Sequence, residues 1–142
     1  MHYFKIIFFV LPMFIFSQEN DICGVWLEEQ KRSHIEIYKN ADGFFEGKIV
    51  WLIEPYEKNG DIKKDKENPD KDLRNRPLKE LVIIKKLNYL NPNEWGEGSI
   101  YDARSGKTYS LNATLKDKDN LFMRGYLGFS FIGKTTSWTR IE

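Results

Sequence analysis

The chain has 142 residues, 41% hydrophobic and 30% charged, with a formal net charge of +1. That length allows one compact domain. The balance of 22 basic against 21 acidic residues leaves no electrostatic footprint for nucleic acid or an anionic membrane. An aromatic content of 15% excludes a disordered chain.

Residues 1–17 differ from everything after them. Lys5 precedes residues 6–16, an apolar run without a charge, whereas a bilayer span needs roughly 20 apolar residues. A basic start, a short apolar stretch and the small residue Ser17 describe a secretory signal peptide, with Gln18 as the first mature residue. The sequence therefore predicts an exported protein, periplasmic or extracellular, with a signal peptide at 1–17 and one domain at 18–142. Removing Lys5 leaves equal numbers of basic and acidic residues. Cys23 is the only cysteine, so no intramolecular disulfide forms. It follows Asn20-Asp21-Ile22, which lacks the small residue of a lipoprotein cleavage site, and reads as a small apolar strand residue.

From there the chain reads as short strands separated by turns. Residues 22–28 form the first. Residues 34–39 form the second, alternating Ile35 and Ile37 with His34, Glu36 and Tyr38. Asn40-Ala41-Asp42-Gly43 marks a hairpin turn. A third strand over 44–53 places Phe45, Gly47, Ile49, Trp51 and Ile53 on one face. After a long charged gap come strands at 81–87 and 94–101. The β-branched run Val82-Ile83-Ile84 favours strand over a helix begun at Pro77. Ala103-Arg104-Ser105-Gly106 is the next turn. Residues 107–115 then alternate Tyr109, Leu111, Ala113 and Leu115 with polar neighbours, and strands at 121–127 and 131–141 complete the chain. Eight sequential strands with period-two patterning predict an all-β fold, a single eight-stranded antiparallel up-and-down barrel. A two-sheet sandwich normally needs several long crossovers, and only one long connection exists here.

These residues also resemble a known family. Gly24-Val25-Trp26, Gly47-Lys48-Ile49, Asn68-Pro69-Asp70 through Leu73-Arg74, and Arg76-Pro77-Leu78 come first. Trp95-Gly96, Gly98-Ser99-Ile100-Tyr101-Asp102, Gly106-Lys107-Thr108-Tyr109, Arg124-Gly125-Tyr126-Leu127-Gly128 and Trp138-Thr139-Arg140 follow. In this order they resemble a bacterial exported family catalogued as domain of unknown function 2147, over most of the mature chain. Two departures stand out: Ala103 where proline is expected, and Glu80 where glycine is expected. The resemblance implies a small lipocalin-like barrel and supplies no reaction. A looser resemblance to the lipocalins themselves implies structural closure by Gly24, Trp26, Trp138 and Arg140, with the Arg140 guanidinium covering the Trp26 indole.

Catalytic parts are scarce. Only His34 survives maturation, and with Cys23 alone no zinc site can be assembled. No Gly-x-Ser-x-Gly elbow, phosphate loop or dinucleotide fingerprint is present. The sequence calls for no cofactor, no metal and no nucleic-acid partner. The unusual segment is 56–80, a loop dense in both charges and long enough to be functional. Asn68, Asp70 and Asp72 have calcium-loop spacing, but Leu73 and Lys79 occupy positions that require Gly and Glu, which rejects an EF-hand. A calcium geometry on Asp65 and Asp70 stays open. Arg74 and Arg76 either pair with loop acids or meet an anionic ligand.

Trp51, Tyr109, Tyr126 and Phe131 are the candidate cavity lining, although inward parity requires a known register. The leading expectation is a non-enzymatic binding module for a small apolar or amphipathic, lipid-like ligand. One alternative is a cell-envelope interaction or structural module with a packed interior. The other is an enzyme whose acids and arginines from the 56–80 loop converge at the barrel mouth.

Overall fold

Each strand pairs antiparallel with the next in sequence, and the last returns to the first, so the sheet closes. The strands are β1 (Gly24–Leu27), β2 (Ser33–Lys39), β3 (Phe45–Leu52), β4 (Val82–Asn91), β5 (Glu94–Asp102), β6 (Lys107–Asp117), β7 (Asn120–Tyr126) and β8 (Gly133–Arg140). This computed structural model describes residues 18–128 and 132–142. The expected signal segment and Phe131 lie outside the described residues.

Strand alternation builds the interior. Ile35 and Ile37 on β2, Phe45 and Ile49 on β3, Leu111, Ala113 and Leu115 on β6, and Leu121 and Met123 on β7 are buried at every second position. β4 runs on to Asn91, beyond the expected end at 87.

One expected face does not hold. Ile35 pairs with Ile49 but His34 pairs with Trp51, so β3 carries one extra residue, Val50, as a β-bulge. A bulge re-aims the side chains after it. Trp51 consequently emerges on the outer surface, 40% exposed, and stacks on His34 with ring centroids 4.3 Å apart. It does not line the interior, and Leu52 turns toward the core instead.

One barrel end is plugged. The 3-10 turn Gln18–Ile22 lies across it with Ile22 fully buried. Trp26 Nε1 donates to the Ile22 carbonyl at 2.9 Å, and Trp95 Nε1 donates to the Glu19 carbonyl at 3.0 Å. The β1–β8 pairing that closes the sheet is short, matching Trp26 with Arg140 and Leu27 with Thr139. Val25 extends the seam through backbone bonds with Ile141 and Glu142.

Arg140 reinforces this seam. Its guanidinium carbon lies 4.2 Å from the Trp26 ring centroid. Its nitrogens donate to the carbonyls of Cys23, Asp21 and Lys118, each at 2.6 Å. Gly24 makes room for this: a Cβ there would collide with the Arg140 guanidinium and the Glu142 carbonyl. Its φ of 139° also suits glycine. Trp138, expected beside these residues, sits two positions earlier on β8. It is buried and donates from Nε1 to Thr136 Oγ1 at 3.1 Å, so it belongs to the interior wall.

The expectation of glycine at 80 has a physical basis in this backbone. Glu80 adopts φ 70°, left-handed backbone that costs a non-glycine residue about 1 kcal/mol.

Removing the Arg140 side chain takes away a cation–π contact and three charge-assisted hydrogen bonds. Arg140→Ala is expected to lower stability by about 2 kcal/mol, and Trp26→Ala by about 3–5 kcal/mol. Urea unfolding reads both. An unchanged Trp26→Ala midpoint would remove this pair from the account of closure.

Candidate ligand-binding cavity

Sequential antiparallel strands place alternate connections at opposite ends. With one end plugged, the β1–β2, β3–β4, β5–β6 and β7–β8 connections gather around the other. A cavity of about 960 Å³ opens among them. Its deep wall is apolar, formed by Ile35, Ile49, Ile83, Leu111, Met123 and Trp138.

Tyr109, on the same face of β6 as Leu111, lines the wall. Tyr126, paired with Ser110 and Gly133, joins it at the mouth. Three apolar side chains border the opening while largely in water: Ile53 at 54% exposure, Leu127 at 54% and Ile132 at 58%. Around them lies a ring of charges of both signs. Glu54 meets Arg32 at 3.6 Å and Lys63 at 3.4 Å, Glu57 meets Lys66 at 3.4 Å, and Asp102 meets Arg104 at 3.2 Å. Such exposed pairs add little stability, and they leave the mouth polar around an apolar interior.

The long charged connection is ordered by one buried acid. Asp65 is fully buried. It accepts hydrogen bonds from Tyr101 Oη at 2.6 Å, Asn68 Nδ2 at 2.8 Å and Arg76 Nη2 at 2.9 Å. Burial alone pushes its carboxyl up, but the bonds from Tyr101, Asn68 and Arg76 outweigh that and hold it below the ordinary carboxylate range. Burial and the Asp65 carboxylate together push the Tyr101 hydroxyl up to about 12. Backbone bridges between Tyr56 and Ile62 and between Lys64 and Pro77 complete the loop.

Arg74 and Arg76 are committed to this framework and do not line the cavity. Arg74 Nε donates to the Asn68 carbonyl at 2.7 Å, and Arg76 holds Asp65. Each arginine thus finds its acceptor inside the loop that carries it. Asn68 Oδ1 accepts from the Asp70 backbone at 2.8 Å. Asp70 in turn caps the turn Lys71–Leu73 by accepting from the Asp72 backbone at 3.0 Å. Asp65 and Asp70 therefore have separate partners, and no group of three metal-ligating side chains occurs among the described residues. Of the 56–80 segment, Glu57 and Glu67 line the mouth, whereas Asp65, Arg74 and Arg76 are engaged within the loop itself. His34 faces outward on Trp51, and desolvation raises the Cys23 thiol above its ordinary value, so it stays protonated at neutral pH.

Sequence reading placed Tyr109 and Tyr126 in the lining and missed most of the deep wall. The signals were available on β6, where Leu111 and Ala113 share Tyr109's face. They were weak on β8, where Trp138 is the one large apolar residue in an otherwise polar row.

A closed eight-stranded antiparallel barrel with a plugged base and an open apolar cup is a lipocalin-like calyx. The chain belongs to the family described as uncharacterized protein conserved in bacteria (DUF2147), whose profile matches residues 24–140. Its fold is similar to a solved structure described as protein HP1028 from the human pathogen Helicobacter pylori, which belongs to the lipocalin family. That likeness has a TM-score of 0.74 at 24% identity, covering 85% of this chain and 83% of that one. No curated protein matches the chain. No helix among the described residues is long and apolar enough to cross a membrane.

The Asp65 cluster predicts a pH dependence. A carboxyl whose native pKa lies below its unfolded value stabilises the fold above about pH 4, and that contribution is lost as pH falls further. Asp65→Asn should flatten the stability profile between about pH 4 and pH 2. Arg76→Ala, which leaves a buried charge with only neutral donors, should cost about 2 kcal/mol at neutral pH. Urea unfolding across pH reads both; an acid profile identical to wild type in Asp65→Asn would contradict the assignment.

Proposed function

We propose that this chain is an exported binding module that holds one small apolar or amphipathic, lipid-like molecule in the barrel cavity. The observation that carries the reading is the cavity itself. At about 960 Å³ it lies within the range of small-molecule sites, roughly 300–1,000 Å³. Its apolar wall favours hydrocarbon, and its charged mouth keeps a polar end in water. Export rests on the basic, apolar and small-residue layout of residues 1–17. Arg74 and Arg76 are engaged inside their own loop and not at the cavity, which favours binding over a reaction built on them. Trp26, Trp95, Phe45 and Ile22 fill the plugged end, and the cavity opening at the other makes a wholly packed interaction module the weaker alternative.

Gly125 offers a clean test. It shares the inward face of β7 with Met123, and an added Cβ would meet nothing nearer than Tyr109 Cβ at 3.6 Å. A leucine there starts from an uncrowded Cβ on the cavity-facing side of the strand. Nile red, an uncharged apolar fluorophore, should bind the wild type and bind Gly125→Leu at least roughly tenfold more weakly, with stability held within about 1.5 kcal/mol. Equal binding by the two proteins would place the dye, and the proposed site, elsewhere.

A further inference from the structure

The charges at the mouth are not all alike. Lys63 and Lys66 are held by Glu54 and Glu57, and Arg32 and Arg104 by Glu54 and Asp102. The acids Glu28 and Glu29 accept from backbone amides of Gln30, Arg32 and Ser137. Two lysines that line the cavity, Lys64 and Lys134, have no ion-pair or hydrogen-bond partner for their side chains among the described residues. Glu67 is the one mouth acid in the same condition.

Lys134 is the more telling of the two. On β8 it continues the row of Trp138 and Thr136, which line the cavity below it. Every second residue of a strand shares a face, so this lysine occupies the inward row at the lip. Its cross-strand partner on β7 is Gly125, which puts no side chain beside it. An inward-facing charge breaks the apolar-in pattern of a barrel, and such breaks are expected where the site has a use for them. A lysine stem can lie along apolar wall while its ammonium stays at the wet mouth.

We propose that the cavity selects single-chain amphiphiles with an anionic head group, the hydrocarbon lying against Leu111, Met123 and Trp138 and the head group pairing with Lys134, assisted by Lys64. This rests on the cavity being a ligand site. Hydrogen bonds between an ammonium and an anion are among the stronger ones, and at the border of an apolar cavity they are less screened than on an open surface. Neither lysine would have to break an existing ion pair to take the ligand.

The test uses three probes with one chain length: dodecanoate, dodecanol and dodecylamine, each displacing Nile red from the protein. Dodecanoate is expected to bind at least roughly tenfold tighter than dodecanol, with dodecylamine weakest. Added salt should weaken dodecanoate and leave dodecanol in place. In Lys134→Gln the carboxylate-to-alcohol ratio should fall most of the way to one, and in the Lys64→Gln, Lys134→Gln double variant it should vanish. Because the ratio is taken within one variant, partial loss of folded protein cancels. Dodecanol binding as tightly as dodecanoate, or a preference that survives in the double variant, would overturn the proposal while sparing the cavity. Failure of all three probes to displace the dye would overturn it together with the reading it rests on.

Discussion

Closure of the sheet depends on a short seam. β1 has only four residues and pairs with β8 at two positions, so backbone hydrogen bonding alone is thin there. Arg140 supplies what the ladder lacks. Its guanidinium covers Trp26 and ties down three carbonyls from two separate segments, the N-terminal turn and the β6–β7 connection. Gly24 permits the approach by having no Cβ to obstruct it. With this end sealed, Trp26 and Trp95 both hang from the Gln18–Ile22 turn, and the large apolar cavity opens at the far end.

The far end is built on a different principle. Its longest connection has no apolar pattern with which to pack, so it is fixed through polar contacts converging on Asp65. A fully buried carboxylate is costly unless its oxygens are satisfied, and Tyr101, Asn68 and Arg76 satisfy it. Tyr101 belongs to β5, so the same cluster that orders the loop also anchors it to the barrel wall. The mouth is thereby shaped by the protein's own scaffold. A preformed cavity loses less entropy on binding than one that must be ordered first.

Much of the fold was legible in the sequence because its signal is periodic. Tyr109, Leu111, Ala113 and Leu115 alternate with polar residues, and the hairpin at Asn40 to Gly43 has unambiguous turn chemistry. Register was not legible. Trp51 has the right parity with Phe45, Gly47 and Ile49, yet the bulge at Val50 reverses it, and nothing local announces a bulge. The Asp65–Arg76 contact joins residues on opposite arms of a patternless loop, so the sequence favoured internal pairing of Arg74 and Arg76 without naming the partner and left a ligand open. Lys134 was invisible for a related reason. In a strand as polar as Gly133–Arg140, an inward lysine reads like its outward neighbours until the pairing with Gly125 fixes which face it occupies. The site thus lies where sequence periodicity is weakest.

The central claim is that the cavity is occupied in the cell, and native mass spectrometry of the protein purified from its own envelope or medium tests it most directly. The account predicts a chain beginning at Gln18 that carries a reproducible extra mass. Denaturation should release that mass as a single-chain amphiphile. A bare polypeptide mass, reproducible under conditions that retain Nile red in the same cavity, would contradict it.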